Sequence, residues 1–265
     1  MMDNGMTEFA YGHMRNDKGY IMFPKDMAEW KRCFHTNTKG HPAPMNLYLV
    51  QELVKYYTKE GDTILDPMAG CGTLMWAALV GRNVVIIELE EEYFVSILSN
   101  LNGLKKNGVP IGNITRLQGD CRKFLPLPVN HIIFSPPYSN IRGQKSKLER
   151  DIHVGTEHYR KSMENVGNLA PFLYKQAMMD VYRRCYDSLP SGGTMSIIVQ
   201  DFIKQGKVYH LSKGVLQTCS EIGFKLLDWH RRFAPTTFFR GLTERQNPGQ
   251  PPIDYEDVVV FQKGG

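Results

Sequence analysis

The sequence lacks long hydrophobic runs, paired cysteines, internal repeats and low-complexity segments. No apolar run reaches the roughly 18 residues that a membrane-spanning helix requires. The first ten residues contain two acidic side chains and no apolar core, which is unlike a secretory signal peptide. The five cysteines are scattered without a CxxC pair, which argues against a zinc site and for reduced thiols. We therefore expect a cytoplasmic protein without a membrane segment.

Motifs for phosphate and metal binding are also missing. The chain has no GxGxxG and no GK[ST] sequence, so cradles for pyrophosphate or triphosphate fit it badly. His153 and His158 lack a matching cluster of carboxylates or cysteines. We therefore predict no metal site.

The composition is that of an ordinary globular protein. The chain has 265 residues, of which 42% are hydrophobic and 22% charged. This length accommodates one large α/β domain with a sizeable core. Lysine and arginine total 32 and aspartate and glutamate 27, a net charge of +5. A mildly basic chain permits a nucleic-acid partner without requiring one.

Short apolar strands alternate with segments of helical periodicity over most of the chain. This alternation predicts an α/β fold with a mostly parallel seven-stranded sheet and helices on both faces. Residues 1–40 lack a clear period and are interpreted as an N-terminal arm or cover, followed by one domain over 41–265. The strands are predicted at 63–65, 83–87, 113–117, 129–134, 194–200, 224–231 and 257–262. The helices are predicted at 45–57, 73–80, 92–106, 171–189 and 211–222.

Acidic residues end three successive predicted strands, the first of which leads into a glycine-rich turn. Glu88, at the end of the second strand, can accept both hydroxyls of a ribose. Asp120, after the third strand, can accept hydrogen bonds from an adenine amino group. These groups describe a slot for adenosine without a phosphate site, and S-adenosylmethionine is its expected occupant. The turn that lines the slot contributes Asp66, Pro67, Met68, Ala69, Gly70, Gly72 and Thr73.

The sequence Ser135-Pro136-Pro137-Tyr138 follows the fourth predicted strand. Two prolines remove two backbone donors, so the nearby carbonyls point outward as acceptors. The Ser135 hydroxyl and the Pro136 carbonyl can then hold both N–H groups of an exocyclic amine. This favours a pyramidal nitrogen whose lone pair faces a methyl donor, while Tyr138 stacks on the base. Such chemistry depends mainly on positioning and needs no general base before methyl transfer.

These motifs together resemble those of the DNA amino-methyltransferases, the N4-cytosine and N6-adenine enzymes. The cofactor motifs precede SPPY, which resembles the γ-type arrangement without circular permutation. The resemblance covers about residues 30–263. The segments that carry it are HPAPM at 41–45 (motif X), DPMAGCGT at 66–73 (motif I), IELEEEY at 87–93 (motif II), GD at 119–120 (motif III), SPPY at 135–138 (motif IV), and the later strands IIVQDF at 197–202 and EDVVVFQK at 256–263.

The resemblance implies a Rossmann-like, class I methyltransferase domain that uses S-adenosylmethionine. It places Glu88 on the ribose of the cofactor. It places His41, Pro42, Ala43 and Pro44 against the methionine part of the cofactor. The catalytic residues that it implies are Ser135, Pro136, Pro137 and Tyr138, with Ser135 also beside the cofactor.

A serine before PPY suggests cytosine N4 as the methyl acceptor, whereas aspartate or asparagine suggests adenine N6. The predicted function is therefore methylation of cytosine N4 in a base flipped out of double-stranded DNA. Adenine N6 in DNA and an exocyclic amine in RNA remain alternatives. Methylation at cytosine C5 would need an attacking thiolate, usually from a Pro-Cys pair, which this chain lacks. An inactive nucleic-acid-binding subunit is the alternative from another class, and the intact motifs disfavour it.

The chain leaves no room for the separate target-recognition domain that typical family members carry. Two segments, 139–168 and 234–252, are the candidates for recognition loops. Cations alternate with aromatic residues over 231–245, which suits phosphate contact and base stacking, although a solvated loop is an equal alternative. The resemblance also suggests a cognate restriction nuclease as a possible partner, and a monomer or weak dimer.

Overall fold

The computed structural model describes residues 8–34, 44–107, 112–137, 164–204, 206–234, 249 and 253–265. None of the helices within these ranges has the length and apolar composition needed to cross a membrane. The helices are α1 Met27–Cys33, α2 Leu47–Tyr57, α3 Glu91–Asn107, α4 Cys121–Phe124, α5 Pro171–Ser188 and α6 Leu211–Ile222, with 3₁₀ helices at Thr73–Val80 and Val166–Asn168. The strands are β1 Thr63–Asp66, β2 Asn83–Glu88, β3 Ile114–Gln118, β4 His131–Phe134, β5 Thr194–Val199, β6 Phe202–Lys204, β7 Lys207–Tyr209, β8 Phe224–Phe233 and β9 Tyr255–Lys263.

Seven of these strands form one sheet in the order β3-β2-β1-β4-β5-β9-β8. Strands β1 to β5 are parallel, whereas β9 is antiparallel to both β5 and β8. The predicted mostly parallel seven-stranded sheet is therefore confirmed. The strand order reverses between β1 and β4, and ligands of such sheets bind at the carboxyl ends of the strands beside this switch point.

Strand residues alternate between two hydrophobic layers, one on each face of the sheet. Ile64, Ile86 and Ile133 belong to the layer that includes α2 and α3. Leu65 and Phe134 belong to the layer that includes α5 and α6. Because both faces are covered, the central strands consist of nearly continuous apolar residues, and this pattern made them visible in the sequence.

The predicted strands and helices end within two residues of the observed ones. Helices α1 and α4 were not predicted, because seven and four residues are too few to show a helical period. The β6–β7 hairpin was not predicted either, since its strands have three residues each. The apolar segment Thr73–Val80 forms a 3₁₀ helix, bounded by Gly72 and Gly81, both with φ of +80°.

Residues 8–34 pack against the sheet and contribute to its core. Phe9 and Trp30 are buried in the same layer as α2 and α3. The backbone N–H of Ile21 donates to the Arg231 carbonyl, and the N–H of Phe233 donates to the Ile21 carbonyl, both at 2.8 Å. This segment therefore covers the outer edge of β8 near the carboxyl end of the sheet.

Candidate active site

Apart from Pro44, the predicted site residues that the structure describes lie at or just after the carboxyl ends of four neighbouring strands. Asp66 ends β1, Glu88 ends β2, Asp120 follows β3 and Ser135 follows β4. In the sheet these strands stand in the order β3-β2-β1-β4, so the switch point lies between Asp66 and Ser135. The fold therefore brings together the three carboxylates on one side and the serine–proline turn on the other.

The glycine-rich turn between β1 and the first 3₁₀ helix is held closely against β2. The Ala69 N–H donates to the Ile87 carbonyl at 2.9 Å, and the Asn100 side chain donates to the Cys71 carbonyl at 2.9 Å. Gly70 and Gly72 have φ of +54° and +80°, a region that glycine occupies at little cost. A Cβ at Gly72 would lie 2.8 Å from Met75 Cε and 3.1 Å from Ile97, and the positive φ itself disfavours a residue with a Cβ there.

The Glu88 carboxylate is buried and holds the turn through its two oxygens. It accepts the backbone N–H groups of Gly70 and Glu90, each at 2.7 Å. Burial raises the pKa of Glu88 to about 7, and these two amides oppose the rise. Because each carboxylate oxygen has two lone pairs, Glu88 retains capacity for two more donors, such as the hydroxyls of a ribose.

Asp66 is completely buried and only partly satisfied. Its Oδ1 accepts the Met68 N–H at 2.9 Å. Its Oδ2 has no hydrogen-bond partner among the described residues. Burial raises the pKa of Asp66 to about 8, and the neighbouring Glu88 carboxylate adds to the rise. A buried polar oxygen without a partner is costly, so this position favours a ligand that supplies a hydrogen-bond partner. A positively charged ligand would also favour loss of the Asp66 proton, which turns the carboxyl into an acceptor.

The raised pKa of Asp66 predicts a specific pH dependence of folding. The folded chain holds a proton on Asp66 that the unfolded chain loses near pH 4, so this group lowers the free energy of unfolding as pH rises from about 4 to 8. Asp66→Asn keeps the acceptor for the Met68 N–H but cannot ionise. We compare the free energies of unfolding of the variant and the wild type without cofactor. As pH rises from about 5 to 8, the difference between them should shift in favour of the variant by on the order of 2–4 kcal/mol.

Urea unfolding of the two proteins at both pH values measures this difference. Asp17→Asn serves as the matched control, since it removes an exposed carboxylate of the N-terminal segment. Equal pH dependence of Asp66→Asn and wild type would contradict the buried, protonated state of Asp66.

Asp120 lies at the third strand end, as predicted, but an arginine occupies both of its oxygens. The Arg122 Nε lies 3.0 Å from each carboxylate oxygen, and Nη2 lies 2.6 Å from Oδ2. Burial alone would raise the pKa of Asp120, but the hydrogen bonds and charge of Arg122 outweigh it and lower the pKa. Asp120 therefore stays ionised, and an adenine amino group would share it with Arg122.

Two further contacts connect this part of the site to residues 164 and 165. The Arg122 guanidinium donates to the Glu164 carbonyl at 3.2 Å. The Asn165 side chain donates to Glu90 at 2.7 Å, and both residues are buried.

Sequence reasoning missed Arg122, Asn165 and Asn100. Only Arg122 had a usable signal, a cation two residues after the predicted ligand Asp120.

The turn after β4 is described up to Pro137. Ser135 is half-buried, Pro136 is buried and Pro137 is half-buried, and none belongs to a helix or strand. Tyr138 lies outside the described residues, as do His41, Pro42 and Ala43. Pro44 is exposed and lies three residues before Leu47, the first residue of α2. The recognition segments 139–168 and 234–252 are described only at 164–168, 234 and 249.

The cysteines near the site are poor nucleophiles. Burial raises the pKa of both Cys71 and Cys121 to about 12, so their thiols are protonated at neutral pH. All five cysteines are buried and free of disulfide bonds. Among the described residues, no group of histidine, cysteine and acidic side chains could hold a metal ion.

The donor groups of S-adenosylmethionine match the acceptors that this site offers. The cofactor carries an ammonium, two ribose hydroxyls and an adenine amine, all of which donate hydrogen bonds. The site offers the unpaired Oδ2 of Asp66, the remaining lone pairs of Glu88 and the ionised Asp120. The residues that would hold the cofactor therefore fit it chemically.

The sheet order and the site at its switch point define a Rossmann-like protein of the class I methyltransferase fold. Among solved structures, the chain is similar to a methyltransferase from Pyrococcus furiosus, with a TM-score of 0.54 and 15% identity over 91% of this chain and 95% of that one. It is also similar to an S-adenosylmethionine-dependent methyltransferase from Methanosarcina mazei, with a TM-score of 0.52 and 11% identity over 80% of this chain and 97% of that one.

Sequence comparison finds similarity to DNA methylases over part of the chain. The sequence profile described as DNA methylase matches residues 23–99, which include Asp66 and Glu88. The chain is 43% identical over 54 residues to the type II methyltransferase M2.DpnII of Streptococcus pneumoniae, covering 20% of each protein. It is 31% identical over 98 residues to M2.LlaDCHI of Lactococcus lactis subsp. cremoris, covering 37% of this chain and 34% of that protein. The aligned regions thus span a fifth to a third of the length of these relatives.

Proposed function

We propose that the protein transfers a methyl group from S-adenosylmethionine to N4 of cytosine in DNA. The observation that carries this proposal is the placement of the Ser135–Pro137 turn directly across the switch point from the buried carboxylates of β1 and β2. A base amine held at that turn would face a cofactor held by Asp66 and Glu88. The serine at position 135 supports cytosine N4, and the similarity to the DNA methylase profile supports a DNA substrate.

The chain's own groups would act by orienting the amine. The lone pair of an exocyclic amine on cytosine is delocalised into the ring, which makes the nitrogen a weak nucleophile. Hydrogen bonds from its two N–H groups to the Ser135 Oγ and the Pro136 carbonyl would favour a pyramidal nitrogen with a localised lone pair. S-adenosylmethionine supplies the activated methyl group. The methylated nitrogen carries a positive charge and then releases one proton to solvent, which the half-buried position of Ser135 permits.

The base must leave a duplex to reach a turn at the edge of the sheet, so base flipping forms part of the proposal. Tyr138, next after Pro137, is proposed to stack on the flipped base. Segments 139–168 and 234–252 are proposed to contact the surrounding DNA, within a catalytic domain over 41–265 and behind an N-terminal cover. A cognate restriction nuclease as partner, a cytoplasmic location and action as a monomer or weak dimer belong to the same proposal.

Nucleoside mass spectrometry tests this function directly. The protein is incubated with S-adenosylmethionine and unmethylated genomic DNA, and in parallel with total RNA, before digestion to nucleosides. We expect N4-methylcytosine in the DNA and none in a reaction with heat-inactivated protein. N6-methyladenine would retain the mechanism and overturn the inference from Ser135. Methylation of RNA alone would overturn the DNA substrate, and no product with cofactor bound would favour a binding subunit.

A further inference from the structure

A short hairpin projects from the carboxyl edge of the sheet beside the proposed catalytic turn. Strands β6 and β7 pair antiparallel at Phe202 with Tyr209 and at Lys204 with Lys207. The hairpin begins three residues after β5, which pairs directly with β4 up to Ile197 and Phe134. Ser135 follows Phe134 at the end of β4, and the hairpin follows the end of β5. Because β4 and β5 are neighbours, the proposed catalytic turn and the start of the hairpin leave the sheet from adjacent strands.

The base of the hairpin is anchored by a buried carboxylate. Asp201 accepts hydrogen bonds from His210 Nδ1 at 2.8 Å, from the Ser212 hydroxyl at 3.0 Å and from the Tyr255 hydroxyl at 3.2 Å. The rings of Phe202 and Tyr209 stack with their centroids 5.1 Å apart and their planes at 5°. The hairpin is therefore held in one orientation above the sheet.

The outer strand of this hairpin is exposed along its whole length. Lys207, Val208 and Tyr209 are all exposed, with 44% of Val208 and 41% of Tyr209 accessible. A two-stranded hairpin is only marginally stable by itself in water. Its exposed apolar side chains are typical of a surface that binds a partner. Lys207 and Tyr209 are two residues apart on one strand, so they point to the same face.

The charge of the hairpin and of the turn after it has one sign. Residues 202–213 contain three lysines and one histidine and no acidic residue. Asp201, which directly precedes the hairpin in sequence, is buried and engaged by three partners. A cation beside an exposed aromatic ring matches the phosphates and the planar groups of a nucleic acid.

We infer that the β6–β7 hairpin binds the DNA backbone next to the target nucleotide. Lys207 contacts a phosphate, and the outer face of the Tyr209 ring packs against a sugar or base of the same strand. The inference rests on the proposed function, because it places the DNA across the carboxyl edge from Ser135 to the hairpin. It adds an interaction surface outside the proposed recognition segments 139–168 and 234–252.

Fluorescence anisotropy with labelled DNA duplexes tests the hairpin. Lys207→Ala should weaken binding about three- to tenfold at low salt, to the same extent for duplexes of different sequence. The slope of log affinity against log salt concentration should become less steep by about 0.9, the contribution of one phosphate contact. Lys207→Arg should bind like the wild type, and the affinity for S-adenosylmethionine should be unchanged in both variants.

Lys225→Ala is the matched control, since Lys225 is also exposed on a strand but lies at the opposite, amino edge of the sheet. It should bind DNA like the wild type. If Lys207→Ala also binds with wild-type affinity and salt slope, the hairpin inference is wrong, while methylation by the wild type still upholds the proposed function. A wild type that neither binds nor methylates DNA would overturn both.

Discussion

Glu88→Gln should raise the Kd for S-adenosylmethionine about 100-fold. In the proposed complex the buried Glu88 carboxylate accepts two ribose hydroxyls in addition to the Gly70 and Glu90 amides. Hydrogen bonds to a charged group contribute about 1.5–3 kcal/mol each, and glutamine offers one acceptor oxygen where the carboxylate offers two. Its amide group would also face a backbone N–H, which disturbs the glycine-rich turn itself. Isothermal titration calorimetry measures the loss.

The pH dependence of cofactor binding gives this prediction a second readout. The pKa of Glu88 is raised to about 7, so a large fraction of the carboxyl is protonated near neutral pH and cannot accept both hydroxyls. Wild-type affinity should therefore rise as pH increases through about 7, whereas Glu88→Gln should lose this part of the dependence. Glu60→Gln, an exposed glutamate before β1, is the control and should bind like the wild type. Unchanged affinity in Glu88→Gln would remove Glu88 from the cofactor site.

Ser135→Ala should lower the rate of methyl transfer by about 10²–10³, the usual cost of losing one preorganised hydrogen-bonding group at a reacting centre. The Kd for S-adenosylmethionine should change by no more than about threefold, because the carboxylates of β1 to β3 remain in place. Single-turnover kinetics on DNA, with calorimetry on the cofactor, separates the two quantities. This split between rate and cofactor affinity distinguishes an acceptor for the base amine from a residue that only supports the fold.

Two variants complete the Ser135 experiment. Ser135→Thr keeps a hydroxyl at the turn and should retain much more activity than Ser135→Ala. Ser191→Ala removes an exposed hydroxyl before β5, at the amino edge of the sheet, and should methylate at the wild-type rate. A wild-type rate in Ser135→Ala would mean that the amine is held by other groups.

The glycine-rich turn shows which features of the site can be predicted from local sequence. The run Asp66–Thr73 predicted a strand end, a tight turn and a helix start, and all three are present. The sequence did not reveal that Asn100 on α3 holds this turn through the Cys71 carbonyl. That bond joins residues 29 positions apart, and helix packing decides such contacts.

Asp120 and the hairpin illustrate the same limit for the site. The position of Asp120 at a strand end followed from the alternation of strands and helices. The engagement of both its oxygens by Arg122 depends on side-chain geometry, and so does the contact of Arg122 with the Glu164 carbonyl. The β6–β7 hairpin has too few residues per strand to show a period. It becomes evident only once Asp201, His210 and Tyr255 are seen together in space.

The sequence by itself determined the class of fold, the central strands and the polar residues at their carboxyl ends. Parallel strands buried on both faces are continuous apolar runs in the sequence. Because ligands bind at the carboxyl ends of such strands, the polar residues that directly follow each run are the candidates for the site. The tertiary structure alone decided that β9 is antiparallel between β5 and β8, that residues 8–34 cover the edge of β8, and that Asp66 is buried with an unpaired oxygen. These features arise from contacts between distant parts of the chain, whose energies depend on packing and burial rather than on any local pattern.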